Sequence, residues 1–447
     1  MRPPISWSQL TSAAVGLWGI GVEGTASLHR LRAMGVVPVL VDDAPGAAGD
    51  GAEGAEGAGD LDILATTQGG LDALLRCDVV IKSPGISRYR PEVAQLEQAG
   101  IPVRGGLGLW LEDTDRSKVA CITGTKGKST TTALAGHLLD RLGRNARVGG
   151  NLGQPPWEPS AEPEPDVWVI ETSSYQVPDL TTGPAVAAVT SLSPDHLDWH
   201  GSLQRYYADK LSLCTKPGVD VAIVNGSDAT LREHAGALGS HVRWIEGDDA
   251  PWSAALGLIG RHNRRNAAMA RAVLLALGIE EAADDGLMAE AAGGFSGLPS
   301  RCHSLGRVDG VEFIDDSLST NVLPAQVALE AFGDRPVALL VGGHDRGLDY
   351  VPLGHTLAGR TRPTLVVTLP DNGPRIGQAV RGITGDRIEV IDAPDLDEAV
   401  VTAFAWSKPD GVVLLSPAAP SFGRFADYRD RARAFADAAA RLGELEP

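Results

Sequence analysis

Long apolar runs and paired cysteines are absent from this sequence, and basic residues are outnumbered. No run of 18 apolar residues occurs, so the sequence predicts no membrane-spanning helix. The first ten residues also lack the apolar core of a secretion signal. The four cysteines lie far apart and form no CxxC pair, which indicates buried thiols in a reducing compartment. We therefore expect a soluble, cytoplasmic protein with no membrane partner.

The shortage of basic residues excludes a second class of partner. Lysine and arginine number 39 against 57 aspartates and glutamates, which gives a net charge of −18 and a sequence pI near 5.0. Such a surface repels phosphate backbones, so we expect no nucleic-acid partner. Any anionic ligand must be held by local basic groups and by metal. With 447 residues, 43% of them hydrophobic, the chain fits two to four globular domains.

The first segment has an α/β pattern with a glycine-rich turn. A strand is predicted over 14–18, and Gly19-Ile20-Gly21-Val22-Glu23-Gly24 then opens a helix. A second strand over 36–41 ends in Asp42. Gly-x-Gly-x-x-Gly followed by an acid about 20 residues later is the dinucleotide-binding fingerprint. This pattern fits a nucleotide-binding domain and equally a hydride-transfer enzyme.

A loop and a third strand complete this segment. Residues 45–60 are rich in glycine, alanine and acidic side chains, and their lack of periodicity predicts a surface loop. The strand over 78–82 runs into Ser83-Pro84-Gly85. We expect this turn at the carboxyl edge of the sheet, where ligands of open α/β sheets collect. A β-turn that binds nothing is the alternative.

A second glycine-rich loop, Gly124-Thr125-Lys126-Gly127-Lys128-Ser129-Thr130, lies between a predicted strand and a predicted helix. In this order, the loop N–H groups and the helix N-terminus point at an anion, which the helix dipole favours. Lys128 would contact the outer phosphates, and Ser129 or Thr130 could ligate Mg²⁺. The general phosphate-loop pattern has a further glycine at position 122, where isoleucine stands. A turn that opens an ordinary helix is therefore the alternative.

Polar side chains follow two later predicted strands. The strand over 168–170 ends in Glu171, and the strand over 185–190 ends near His196. Carboxyl ends of parallel strands meet at one edge, which is also the edge of the phosphate loop. We therefore interpret a carboxylate at this edge as a metal ligand rather than a surface charge.

Two predicted helices carry polar residues with more than one interpretation. The helix over 205–211 contains Lys210, and a lone lysine on a helix is usually solvent-exposed. Asn263 and Asn266 share one face at the start of an alanine-rich helix. One asparagine there fits helix capping, whereas two on one face suit hydrogen bonding to a base.

A third α/β unit begins near residue 298. Strands are predicted at 311–314, 337–341, 364–368 and 412–415, with helical patterns between them. This alternation predicts another parallel, doubly wound sheet. Polar residues again follow the strands. In each of the three units, polar side chains are therefore expected at the carboxyl edge of the sheet, where a ligand could bind.

Six motifs, taken in chain order, resemble those of the Mur ligases. They are Gly124 to Thr130, Glu171-x-Ser173-Ser174-x-Gln176, Asp195-His196-Leu197-Asp198, Tyr207-x-x-Lys210, His262-Asn263-x-x-Asn266 and Asp316-Ser317. The resemblance implies an α/β fold with the three-domain Mur ligase architecture. Its parts would be a Rossmann-like UDP-binding domain over 1–115, a central P-loop ATPase domain over 116–297 and a C-terminal Rossmann-like domain over 298–447. We expect a monomer.

The chemistry implied by the resemblance is ATP-dependent amide formation on small-molecule substrates. The carboxylate of UDP-N-acetylmuramoyl-L-alanine attacks the γ-phosphate of ATP and gives an acyl phosphate. The amino group of glutamate then attacks the acyl carbon, and phosphate leaves. Because the first step brings anions together, it requires strong cationic neutralisation.

The resemblance also assigns roles to individual positions. Catalysis falls on Lys128, Glu171, His196 and Lys210. The binding of two Mg²⁺ ions falls on Ser129, Thr130, Glu171, His196 and Lys210, the last as a carbamate. ATP contacts fall on Gly124 to Thr130, Asn263, Asn266, Arg301 and Asp316. Contacts with the UDP-muramoyl substrate fall on Gly19, Gly21, Ser83, Pro84, Gly85, Asn151, Ser173 and Gln176. Glutamate contacts fall on Thr320, Arg346, Ser421 and Phe422.

The glutamate pocket departs from the common D-glutamate-adding pattern. Leu318-Ser319 stands where that pattern has Lys-Ala, and Arg346 stands where it has lysine. Ser300 replaces the histidine before the phosphate-binding arginine, and Lys126 replaces an asparagine in the loop. Arg346 could hold the side-chain carboxylate as a bidentate fork. These differences resemble the branch that attaches L-glutamate, which we expect here, with D-glutamate as the alternative.

Three other interpretations account for parts of this pattern. A nicotinamide-dependent oxidoreductase would explain the first glycine loop but not the phosphate loop, Glu171 or the asparagine pair. A folylpolyglutamate-synthase-like ligase would share the phosphate loop but lack a UDP-binding domain, so the 115 residues ahead of the loop disfavour it. A non-catalytic ATP-binding scaffold predicts no phosphate release with any amino acid.

Overall fold

The computed structural model describes residues 3–45, 62–247 and 251–446. Most of the loop predicted over 45–60 lies outside the described residues. The described chain divides into two compact units, one drawn from 1–255 and 264–293, the other from 256–263 and 294–447. Two largely parallel sheets lie in the first unit and one in the second. This arrangement confirms the predicted α/β class, while the predicted domain boundaries at 115/116 and 297/298 stay predictions.

The first sheet is fully parallel, with the strand order β3-β2-β1-β4-β5. Its strands are β1 (Val15–Trp18), β2 (Val39–Asp42), β3 (Ile63–Ala65), β4 (Val79–Lys82) and β5 (Val103–Arg104). Its helices are α1 (Val22–Ala33), α2 (Leu71–Leu74), α3 (Pro91–Gln98) and α4 (Gly106–Asp113). The strand order reverses direction between β1 and β4, and ligands of open α/β sheets bind outside the strand ends at such a point.

The second sheet is also parallel, with the order β11-β10-β9-β6-β8-β7. Its strands are β6 (Val119–Thr123), β7 (Ala146–Gly150), β8 (Val167–Glu171), β9 (Val186–Val189), β10 (Val221–Asn225) and β11 (Val242–Ile245). The helices are α5 (Lys128–Arg141), α6 (Leu197–His200), α7 (Leu203–Leu211), α8 (Ala229–Glu233), α9 (Arg261–Ala276) and α10 (Asp285–Ala292). Because β6 pairs with β8 and β9, the loops after these three strands meet at one edge.

The third sheet has the order β12-β13-β17-β14-β15-β16, and only the β12–β13 pair is antiparallel within the described ranges. Its strands are β12 (His303–Val308), β13 (Val311–Asp315), β14 (Val337–Val341), β15 (Thr364–Thr368), β16 (Glu389–Asp392) and β17 (Val412–Leu415). Its helices are α11 (Val322–Glu330), α12 (Val351–Ala358), α13 (Gly373–Thr384), α14 (Leu396–Ser407) and α15 (Tyr428–Ala440).

Burial explains why the central strands are continuous apolar runs. Every residue of β1, β4, β6, β8 and β9 is buried, as parallel strands covered by helices on both faces require. One apolar cluster joins residues around the first sheet to residues around the second, including Trp7, Trp110, Trp157 and Trp168. Across the described ranges, each helix is too short or too polar to span a lipid bilayer.

Polar contacts also connect the first two sheets. Trp157 stacks on Trp7 at a ring-centroid distance of 6.4 Å and donates from Nε1 to Ser27 Oγ at 3.1 Å. Asp179 accepts from Lys82 Nζ at 2.5 Å and from Arg88 Nη1 at 2.6 Å, with all three side chains at least 95% buried. The sugar-nucleotide and phosphate loops predicted above therefore stand on one continuous core.

Candidate active site

The phosphate loop follows β6 directly and adopts a conformation that only glycine tolerates well. Gly124 has φ +150° and Gly127 has φ +86°, both in regions that side chains rarely enter. Added Cβ atoms would lie 2.0 Å from Thr190 Oγ1 at Gly124 and 2.6 Å from Asn266 Oδ1 at Gly127. Helix α5 begins at the next residue, and its N-cap, Gly127, has no side chain that could cap it. A cradle open to an anion is thus built at this helix terminus.

The loop after β9 holds the phosphate loop in place. Thr125 N–H donates to Ser191 O at 2.9 Å, and Lys126 N–H donates to Ser191 Oγ at 2.8 Å. Thr190 Oγ1 donates to Lys126 O at 2.6 Å, and Asn225 Nδ2 donates to Thr190 O at 2.9 Å. The side chain of Lys126 is directed elsewhere, 3.5 Å from Asp195 Oδ2.

Lys128 and Glu171 lie together at the mouth of this cradle. Lys128 Nζ is 3.8 Å from Glu171 Oε1, and the Glu171 side chain, at the end of β8, is only 4% exposed. Ser129 and Thr130 occupy the first turn of α5 beside Lys128, with Ser129 buried and Thr130 half-buried. Lys128 and Glu171 therefore meet at the start of α5, where the resemblance implies phosphate and Mg²⁺, and Ser129 and Thr130 follow in the same helical turn.

His196 lies beyond the end of β9, with φ +51° and a half-exposed ring. Its Nδ1 makes a 2.8 Å hydrogen bond with the Tyr175 hydroxyl, and its Nε2 is 3.9 Å from Asp195 Oδ2. Partial burial lowers the pKa of His196, and the charges of Lys210 and Lys128 lower it further against the opposing effect of Asp195. The neutral imidazole that metal ligation requires is thus favoured.

Lys210 lies inside the protein rather than on a solvated helix face. It projects from α7, is 2% exposed and donates from Nζ to Gly124 O at 3.0 Å. Burial lowers the pKa of Lys210 well below its usual value, and the charge of Lys128 acts in the same direction. Tyr206 joins these groups, because its hydroxyl contacts Thr125 Oγ1 at 2.8 Å and its ring packs near both Lys210 and His196. The four predicted catalytic residues are therefore brought to one strand edge.

The donor set suits a hard cation by its chemistry. No cluster of three or more histidine, cysteine, aspartate or glutamate side chains is arranged to hold a metal ion within the described ranges. The carboxylate of Glu171 and the hydroxyls of Ser129 and Thr130 are nevertheless oxygen ligands that Mg²⁺ accepts alongside phosphate oxygens and water, whereas the imidazole of His196 is a softer nitrogen ligand. These residues fit a Mg²⁺ ion that arrives bound to a nucleotide better than one that is held by protein ligands alone.

The predicted sugar-nucleotide loop lies where the first sheet reverses its strand order. Gly19, after β1, has φ +90°, and Ser83, after β4, donates from Oγ to Gly19 O at 2.6 Å. A Cβ on Gly24 would lie 1.9 Å from Gly19 O, so α1 approaches this loop too closely for a side chain there. Gly21 and Gly85 have open space at their Cβ positions, and Pro84 O accepts from Trp199 Nε1 at 3.0 Å.

Three further predicted substrate residues follow β7 and β8. Asn151 is exposed, and its N–H donates to Glu171 O at 3.1 Å. Ser173 N–H donates to Gln176 Oε1 at 2.7 Å, and Gln176 Nε2 donates to Glu23 Oε1 at 2.6 Å. These residues thus lie beside the phosphate loop on one side and α1 on the other.

The predicted ATP contacts outside the phosphate loop are divided between the two units. Asn266 belongs to the first unit and approaches Gly127, whereas Asn263 belongs to the second and donates to Ile259 O at 2.9 Å. Asp316 follows β13 and accepts from Cys302 N–H at 3.1 Å, from Ser416 Oγ at 2.6 Å and from Ser319 Oγ. Burial raises the pKa of Asp316 to about 6. Arg301, half-buried, immediately precedes Cys302.

The predicted glutamate residues lie on loops at the carboxyl edge of the third sheet. Gly342 N–H donates to Pro417 O, and His344 N–H donates to Pro420 O, both at 2.9 Å, so the loops after β14 and β17 are joined. The predicted contacts are Thr320, which is half-buried, Arg346 and Phe422, which are exposed, and Ser421, which is buried. Their contact with glutamate stays a prediction.

Several residues of the site have no signal in the sequence pattern. Tyr175 packs against Trp199 with ring centroids 4.7 Å apart, besides its bond to His196. His200 is fully buried between Asp209, at 2.7 Å from Nδ1, and Ser174, at 3.0 Å from Nε2. Only their proximity to the recognised motifs could have drawn attention to them, since their partners are distant in sequence.

Comparison with known proteins places this architecture. The Mur ligase middle domain model matches residues 122–253. The chain is 41% identical to the UDP-N-acetylmuramoyl-L-alanine--L-glutamate ligase of a Micromonospora species, over 96% of this chain and 97% of that protein. It is 40% identical to the protein of the same name from Xanthomonas axonopodis pv. citri, over 97% of this chain and 96% of that protein.

Solved structures agree at the level of fold. The UDP-N-acetylmuramate-alanine ligase of Thermotoga maritima aligns with a TM-score of 0.55 at 19% identity, covering 96% of this chain and all of that one. MurF from Acinetobacter baumannii aligns with a TM-score of 0.56 at 18% identity, over 80% of this chain and 90% of that one. The predicted resemblance is confirmed by these comparisons, and the chain belongs to the Mur ligase family.

Proposed function

We propose that this protein is an ATP-dependent ligase that joins L-glutamate to UDP-N-acetylmuramoyl-L-alanine in peptidoglycan precursor synthesis, with release of ADP and phosphate. The observation that carries the proposal is the meeting of Lys128, Glu171, His196 and Lys210 around one glycine cradle. A carboxylate can attack a triphosphate only where positive charge and N–H donors offset the mutual repulsion of the anions. The relatives named as L-glutamate ligases support the substrate assignment.

The chain's own residues supply binding and charge neutralisation in this reaction. Lys128 and the α5 N-terminus bind the outer phosphates of ATP, which makes the γ-phosphate a better electrophile. The substrate carboxylate attacks this phosphorus, ADP leaves, and the acyl phosphate forms. The glutamate amine then attacks the acyl carbon, loses a proton, and phosphate leaves from the tetrahedral intermediate. Lys128 remains placed to stabilise the departing phosphate.

Two Mg²⁺ ions belong to the proposal as cofactors. Ser129 or Thr130 and Glu171 would hold one, and His196, a carbamate on Lys210 and a shared Glu171 would hold the other. When bound, the ions supply further neutralisation of phosphate charge. Carbamate formation needs an uncharged amine, and Lys210 is buried beside Lys128 in surroundings that favour this form.

Specificity for L-glutamate is assigned to the second unit. Arg346 would hold the side-chain carboxylate of glutamate through two parallel N–H···O bonds, with Thr320, Ser421 and Phe422 lining the remainder of the pocket. Asn266 in the first unit, and Asn263, Arg301 and Asp316 in the second, are proposed as further contacts of ATP. We further propose that the protein acts as a cytoplasmic monomer on these small molecules alone.

One assay tests reaction, sugar nucleotide and stereochemistry together. Phosphate release is measured with ATP, Mg²⁺ and UDP-N-acetylmuramoyl-L-alanine, in parallel with L-glutamate and D-glutamate. We expect release that depends on the sugar nucleotide and is faster with L-glutamate. A preference for D-glutamate would replace the L-epimer with the alternative, and no release with either would exclude the ligase.

A further inference from the structure

We propose that Glu23 is a positioning residue for the muramoyl substrate: it fixes the side-chain amide of Gln176 and connects the first glycine loop to the substrate pocket. This inference deepens the proposed function and rests on it. It concerns a residue of the first glycine loop whose side chain the Gly-x-Gly-x-x-Gly pattern leaves unspecified.

The orientation of the Gln176 amide follows from its two partners. Ser173 N–H can only donate, and it lies 2.7 Å from the Gln176 oxygen Oε1. The amide nitrogen Nε2 must therefore face the other way, where it donates to Glu23 Oε1 at 2.6 Å. Gln176 itself is 3% exposed, so a rotation of this amide would break both bonds inside the protein.

Glu23 reaches this position because of where α1 begins. It lies in the first turn of α1, immediately before Gly24, which packs against Gly19 O and Ser83 Oγ in the loop proposed for the sugar nucleotide. A single side chain thus spans from the loop that would hold the UDP moiety to the residue that would hold the muramoyl group. Any substrate that bridges these two loops passes Glu23.

The charges around Glu23 are already balanced without it. Lys82 faces Glu23 but is bound to Asp179 Oδ2 at 2.5 Å and to Ile86 O at 3.0 Å. Arg88 is also paired with carboxylates, namely Asp179 Oδ1 at 2.6 Å and Glu97. Two cations therefore face two anions, and no cation in this group is left for a third carboxylate. An uncharged Glu23 also avoids repulsion with an anionic sugar nucleotide.

Protonation of Glu23 is consistent with this arrangement. Burial raises the pKa of Glu23 to about 8, although Gln176 and Lys82 oppose the rise and Asp179 adds to it. The neutral acid still accepts from Gln176 through its carbonyl oxygen. Ionisation above pH 8 places a negative charge next to the substrate, so substrate affinity is expected to fall as the pH rises through this value.

The test is direct binding, which does not depend on turnover. The dissociation constant of UDP-N-acetylmuramoyl-L-alanine is measured by calorimetry between pH 6.5 and pH 9 on the wild type, Glu23→Gln, Glu23→Ala and the exposed-carboxylate control Glu290→Gln. If only the neutral acid permits binding, the wild-type constant rises about tenfold from pH 7 to pH 9. Glu290→Gln is expected to follow the wild type, and Glu23→Gln to be independent of pH apart from changes in the ligand itself.

Glu23→Ala separates positioning from pH dependence. Loss of the amide anchor is expected to weaken sugar-nucleotide binding about tenfold at pH 7 while the dissociation constant of ATP stays unchanged. The inference is overturned if Glu23→Gln shows the same pH dependence as the wild type, or if Glu23→Ala binds the sugar nucleotide normally. Absence of sugar-nucleotide binding by the folded wild type, at every pH, would overturn the proposed function itself.

Discussion

Gly124→Ala is expected to damage the phosphate cradle in two separable ways. At φ +150° the alanine backbone is strained, which costs about 1–3 kcal/mol. Its Cβ would also lie 2.0 Å from Thr190 Oγ1, so this hydroxyl must move away from Lys126 O at 2.6 Å and Thr123 O at 3.2 Å. The hydroxyl has a single proton to share between these two carbonyls, so their loss adds about 1 kcal/mol, for a total near 2–4 kcal/mol.

Gly143→Ala is the matched control for the backbone contribution. Gly143 has φ +74°, but a Cβ there has nothing within 4 Å, so only the strain of about 1–2 kcal/mol is expected. The free energy of unfolding is measured by urea titration for both variants, together with the dissociation constant of ATP. We expect Gly124→Ala to be less stable than Gly143→Ala by about 1–2 kcal/mol and to bind ATP poorly. Equal stability and equal ATP affinity would refute the packing described for this loop.

Two lysines give the remaining predictions. Lys128→Ala is expected to lower kcat by about 10²–10³-fold in the phosphate-release assay, because a phosphate-binding charge is lost, whereas the exposed Lys118→Ala should be near normal. Near-normal turnover of Lys128→Ala would remove the phosphate-loop assignment. Lys210→Ala is expected to be inactive and partly rescued by short carboxylic acids, which replace the carbamate oxygens, while the same acids should not rescue Lys128→Ala. Full activity of Lys210→Ala without added acid would exclude the carbamate.

The central strands could be predicted from the sequence because burial on both faces leaves continuous apolar runs. The strands predicted over 337–341, 364–368 and 412–415 have the observed bounds of β14, β15 and β17. Strands that sequence reasoning missed lie mostly at sheet edges, namely β3, β5, β7, β11, β12 and β16. In the part of the chain that the structure describes, each of these strands pairs with a neighbouring strand on one side only, and β3, β11 and β16 have no buried residue at all. β10 is an exception, since it is apolar and internal yet was not predicted.

The candidate site was predictable where chemistry is encoded in a short motif and not where it depends on distant pairs. The glycine loop and the polar residues after β8 and β9 follow from strand order alone. The environment of Lys210 does not, since its burial depends on packing that periodicity cannot reveal. Likewise, the bond between Glu23 and Gln176 joins residues 153 positions apart, and only the folded chain brings them together.

The packing between the first two sheets limits how segments of different members of this family could be recombined. Trp157 fills the space over Gly106, where an added Cβ would lie 2.5 Å from its ring, and it bonds to Ser27. A chimera joined near residue 115 would take Ser27 and Gly106 from one parent protein and the residue that packs on them from the other. To exchange substrate specificity by swapping the N-terminal segment, Trp157 and Asp179 would therefore have to be transferred together with that segment.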